Sequence, residues 1–67
     1  MGKNYAMKEA RTRAGFSQQG LADAVGVSRQ TINAIEKGDY NPTIKLCIAI
    51  CKVLNLTLND LFWDDEE

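Results

Sequence analysis

The sequence predicts an all-α domain of five short helices, and three observations predict it. Ser17, Ser28 and Thr43 each stand immediately ahead of a helical segment, where a side-chain hydroxyl can cap the first turn. Gly15, Gly26 and Gly38 follow the segments before them, where a left-handed residue ends a helix. Nothing reads as two alternating runs joined by a hairpin turn, so no sheet is predicted. The one extended piece considered is a short terminal strand near Trp63.

The first helix is predicted from about Tyr5 to Ala14, with Ala6, Met7, Ala10 and Ala14 as its apolar side and Gly15 as its stop. Ser17 caps a second, Gln18 to Val25, that Gly26 ends. Ser28 caps a third, Arg29 to Lys37, that Gly38 ends. Gly38-Asp39-Tyr40-Asn41-Pro42 is a loop by composition. Thr43 caps a fourth helix that runs to about Leu54. Thr57, with Asp60 three residues on, begins a short fifth that runs to about Phe62.

Only Gly26, Val27 and Ser28 separate the second helix from the third, so the two must cross steeply. Gly26 supplies the positive φ that such a turn needs. Ala22 is placed where the helices approach, and Leu21, Val25, Val27, Ile32 and Ile35 fill the space between them.

Sixty-seven residues, 45% hydrophobic and 25% charged, make one globular domain and no more, residues 1–67. No stretch nears the roughly 18 apolar residues of a membrane span. The first ten residues lack the apolar core of a signal peptide, so a cytoplasmic protein with no membrane partner is expected. Net charge is −1, but its distribution is uneven. Residues 1–52 carry all eight Lys and Arg against four acids, a net +4, and residues 53–67 carry five acids and no base. A basic body with an acidic tail, residues 64–67, leaves room for a nucleic-acid face. There is no histidine. Cys47 and Cys51 share a helix face, where a bridge would strain the backbone and two thiolates alone do not close a zinc site. They read as small buried hydrophobes in a reducing compartment. No cofactor and no metal is expected.

The third helix carries the candidate site. At about 100° per residue, with Arg29 at the origin, Ile32 and Ile35 centre the buried side near 270°. Gln30, Asn33, Ala34 and Lys37 gather about the opposite side, and Arg29 sits at its margin. Long hydrogen-bonding side chains around one small residue match the DNA major groove, which admits a helix. There Arg pairs with guanine, Gln or Asn with adenine, and Ala34 can touch a thymine methyl. Ser28 and the free N–H groups at the starts of helices two and three match phosphate oxygens. Gln18 is placed to fix register on the backbone, and Lys37, Tyr40 and Asn41 follow as phosphate contacts.

Residues 17–38, with Val27-Ser28-Arg29-Gln30-Thr31-Ile32-Asn33-Ala34-Ile35-Glu36 and then Tyr40-Asn41-Pro42-Thr43 as the strongest part, resemble the phage Cro and lambda-repressor helix-turn-helix regulators. The chain is similar above all to the short bacterial regulators of the xenobiotic-response-element type, from about Met7 to Trp63. The resemblance implies a five-helix lambda-repressor-like domain with the helix-turn-helix proper at 18–37, a dimer, and a palindromic double-stranded operator. It implies Ser28, Arg29, Gln30, Thr31, Asn33 and Lys37 on the recognition helix, Gln18 on phosphate, and a structural Glu36 paired with a base such as Arg11. One departure stands out: relatives usually carry Glu where this chain has Gly20, so the capping box begun by Ser17 stays incomplete.

A homodimer is expected on independent grounds. Between residues 44 and 54 only Lys45 and Lys52 are polar, more apolar surface than one small domain covers. Ile44, Ile48, Leu56, Leu58, Leu61, Phe62 and Trp63 form the expected contact with a second copy. Such a two-fold pair places recognition helices about 34 Å apart, on successive major grooves. The function expected is a DNA-binding repressor. The alternative is an antitoxin that binds DNA and also a toxin protein. Enzymatic chemistry is excluded by the lack of histidine, of any nucleophile–base pair and of any phosphate loop.

Overall fold

The computed structural model describes residues 5–61. Five helices follow one another: α1 (Tyr5–Arg13), α2 (Gln18–Val25), α3 (Arg29–Lys37), α4 (Ile44–Leu54) and α5 (Leu58–Leu61). No strand occurs among the described residues. Trp63 with its expected strand, Phe62 and the acidic tail lie outside them.

The caps form as the side chains dictate. Ser17 Oγ accepts from the Gly20 N–H at 2.9 Å, Ser28 Oγ from the Thr31 N–H at 3.2 Å, and Thr43 Oγ1 from the Leu46 N–H at 3.2 Å. Gly26 and Gly38 end α2 and α3 with φ of 80° and 83°. Asn55 does the same for α4 at φ 60°, a conformation its short amide side chain tolerates. At α5 the box is complete: Asp60 Oδ2 accepts from the Thr57 N–H at 3.0 Å and Thr57 Oγ1 from the Asp60 N–H at 3.3 Å.

Two details differ from expectation in α1. The helix ends at Arg13, one residue early, because the chain is already turning toward the left-handed Gly15 at Ala14. Ala6 and Ala14 are exposed, and Met7 and Arg11, one turn apart, define the inward side instead.

Met7, Leu21, Ala22, Ile32 and Ile50 are fully buried and form one core with Ile35, Cys51, Leu54 and Leu61. Val25, Val27, Leu46 and Leu58 pack against its rim. The turn between α2 and α3 is anchored on the residue that lets them approach: the N–H groups of Gly26 and Val27 both donate to the Ala22 carbonyl, at 2.8 and 3.0 Å. On α4, Cys47, Ile50, Cys51 and Leu54 face inward, and Ile44 and Ile48 face solvent at 66% and 40% exposure. Leu61, expected against a second copy, is instead buried within the protomer, because α5 folds back onto α1 and α4.

Candidate nucleic-acid interface

Burying Ile32 and Ile35 fixes the roll of α3 and so decides which of its residues face outward. Arg29, Gln30 and Lys37 are exposed, and Thr31, Asn33 and Ala34 lie half-buried at the margins. Ser28 at the cap is exposed, with its hydroxyl 3.0 Å from that of Thr31. Tyr40 and Asn41 are exposed in the loop that follows. The α3 residues assigned from sequence therefore share one unburied side of a single rod. Cys47 Sγ, 3.9 Å from the Pro42 carbonyl, tethers that loop to the start of α4.

Gln18 stands apart from the other assigned residues. From the first turn of α2 it reaches across the helix crossing, and Nε2 donates both to Asn33 Oδ1 at 3.1 Å and to Glu36 Oε1 at 3.0 Å. Its two amide hydrogens are engaged inside the protein.

Behind Gln18 sits a charged pair. Arg11 Nε donates to Glu36 Oε2 at 2.6 Å and Arg11 Nη2 to Glu36 Oε1 at 3.2 Å, a two-pronged contact between side chains only 10% and 5% exposed. Arg11 Nη1 also donates to the Phe16 carbonyl at 2.9 Å. Through these bonds α1, the α1–α2 loop, α2 and α3 hold one another, and no buried side-chain nitrogen or oxygen among the described residues lacks a partner. The resemblance implies a structural Glu36 paired with Arg11, which is the pair seen, and implies no link from it to Asn33. The spacing of three between Asn33 and Glu36, which puts both on one side of a helix, was the available signal for a link to the site.

Burial pushes both thiols, Cys47 and Cys51, above their ordinary value; at Cys51 the nearby Cys47 and Asp60 add to it. Among the described residues no three metal-ligating side chains come together, and no helix is long and apolar enough to cross a membrane. The arrangement offers a helix locked from behind that presents donors and acceptors outward, with one small residue at their margin. That is the shape and chemistry of a major-groove reader.

Known proteins agree with that geometry. The helix-turn-helix family pattern matches residues 7–61. An uncharacterized HTH-type transcriptional regulator of Bacillus subtilis, YgzD, is 51% identical over 61 residues, which are 91% of this chain and 92% of that one. Among solved structures, the restriction-modification controller protein C.AhdI of Aeromonas hydrophila superposes with a TM-score of 0.82 at 27% identity, covering 88% of this chain and 89% of that one. The controller C.Esp1396I, solved bound to a 25 base pair operator site, gives 0.71 at 31% identity, over 81% of this chain and 71% of its own.

Proposed function

The chain belongs to the helix-turn-helix family of DNA-binding transcriptional regulators, and from that premise we propose that it binds a palindromic operator as a homodimer and represses transcription there. The observation that carries this reading is the outward side of α3, where Arg29 and Gln30 are exposed beside half-buried Asn33 and Ala34 while Ile32 and Ile35 lock the helix from behind. Arg29, Gln30 and Asn33 read base edges in the major groove, and Ala34 approaches a thymine methyl. Ser28, Thr31, Lys37, Tyr40 and Asn41 position the helix on phosphates.

The second copy docks on α4. Ile44 and Ile48, one turn apart, leave a large apolar strip uncovered, and Leu56 extends it beyond the helix end. The two-fold axis of such a pair is what makes the operator palindromic. Repression follows from occupancy, since a domain that covers its operator denies that stretch to polymerase. The protein acts where the chromosome is, in the cytoplasm. Sedimentation of the purified protein with a duplex that it retains tests the assembly: two chains per duplex are expected, and one chain per duplex contradicts the homodimer.

A further inference from the structure

We infer that Glu36, which is buried and reaches no base, selects the kind of base that Asn33 recognises, by dictating through Gln18 which end of the Asn33 amide faces outward. The inference rests on the DNA-reading role of α3 and deepens it.

The Glu36 carboxylate, held by Arg11 on both oxygens, can only accept hydrogen bonds. Gln18 lies 3.0 Å from Glu36 Oε1, so it must turn its NH2 group toward that oxygen, since its carbonyl would face like charge. The same nitrogen is 3.1 Å from the Asn33 amide, so the second hydrogen goes there and Asn33 must answer with Oδ1. Nδ2 of Asn33 is then the atom left toward the exposed side of α3. The chain of bonds has one sense only, and Glu36 sets it.

Outward Nδ2–H is a donor. In the major groove guanine offers O6 and thymine O4 as acceptors at the places where adenine and cytosine offer amino groups, and both purines also offer N7. Where Asn33 meets the edge that carries these O6, O4 or amino groups, a fixed outward donor therefore favours a keto base over an amino base. An Asn free to rotate would serve either kind. Exchanging the carboxylate for an amide reverses the sense. In Glu36→Gln the retained oxygen stays with Arg11 Nε, the new NH2 takes the place of Oε1, gives up the Arg11 Nη2 bond and donates to Gln18, Gln18 turns its carbonyl inward, and Asn33 follows with Oδ1 outward. An amino base becomes the better partner. In Gln18→Met the link is cut and Asn33 rotates freely.

Selection of bound duplexes from a random DNA pool, run in parallel on the wild type, Asn33→Ala, Gln18→Met and Glu36→Gln, tests this. The position whose preference vanishes in Asn33→Ala is the one Asn33 reads. There the wild type is expected to favour guanine or thymine by about tenfold, the scale of one base-edge hydrogen bond. Gln18→Met is expected to level that preference and Glu36→Gln to shift it to adenine or cytosine, with the remaining positions unchanged. A purely structural Glu36 would weaken binding at every position alike. Wild-type preference retained in Gln18→Met, or an unchanged motif in Asn33→Ala, overturns the inference. Glu36→Gln, if circular dichroism shows it folded, overturns it by keeping the keto preference; if it is unfolded, Gln18→Met alone decides. A wild type that enriches no sequence overturns instead the DNA-reading role on which this stands.

Discussion

Arg11 and Glu36 lie 25 residues apart, yet the guanidinium of one grips both carboxylate oxygens of the other, at 2.6 and 3.2 Å. Arg11 belongs to α1 and Glu36 to the last turn of α3, so the contact ties that helix to the rest of the domain. Breaking it on one side leaves a buried charge without its partner, which costs about 3 kcal/mol. Glu36→Ala is expected to lose about that much in urea unfolding, enough to leave so small a domain largely unfolded at room temperature. Arg11→Met combined with Glu36→Leu is expected to recover most of the loss, because neither charge is then stranded. Equal stability of Glu36→Ala and the wild type would show that the pair does not hold α3.

Gly20 is the weak point of α2. It sits one turn into the helix, and its N–H already bonds to Ser17 Oγ at 2.9 Å. A Cβ there would meet Ser17 Oγ at 3.2 Å, a tight contact with the end of a small exposed side chain that can shift. Gly20→Glu removes the glycine entropy cost and lets a carboxylate accept from the Ser17 N–H, together about 1 kcal/mol or slightly more. A rise in Tm of several degrees is expected. A fall in Tm would mean that the Ser17 side chain cannot give way.

The buried thiols make stability depend on alkaline pH. In the unfolded chain they ionise at their ordinary 9.0, and in the folded chain only at higher pH, so the folded state holds its protons longer. The contribution is complete below 9.0 and disappears as pH rises through the folded values. Urea midpoints measured from about pH 8 to about pH 10 are expected to fall more steeply for the wild type than for Cys47→Ala with Cys51→Ala. Parallel declines would assign the alkaline loss to other groups.

Arg29 and Lys37 carry different parts of the proposed binding, and DNA titrations separate them. Arg29→Ala is expected to cost about 1–3 kcal/mol on the selected operator and to relax one base position. Lys37→Ala is expected to weaken all duplexes alike and to lower the slope of log K against log salt by about one. Unchanged operator affinity in Arg29→Ala at fixed salt would remove it from base readout.

Most of the fold was legible because its boundaries are made by single residues acting locally. Ser17, Ser28, Thr43, Gly26 and Gly38 set the bounds of α2 and α3 and the start of α4 where the sequence placed them. Helix periodicity likewise identified Ile32 and Ile35 as inward and Arg29 and Gln30 as outward. The misses have two causes, side-chain size and contacts between segments distant in the chain. Ala6 and Ala14 are apolar but too small to compel burial, and Leu61 is buried only because α5 folds back. The bonds from Gln18 to Asn33 and Glu36 span 15 and 18 residues and depend on how steeply α2 crosses α3, which spacing along the chain does not encode.

The central claim is that α3 lies in the major groove of a duplex, once per half-site. Hydroxyl-radical footprinting of the purified protein on a duplex enriched from a random pool tests it most directly. The account predicts two protected patches about 10 base pairs apart on one side of the duplex, lost when Arg29 and Gln30 are both replaced by Ala. No protected site on any double-stranded DNA, even in dilute buffer, would contradict it.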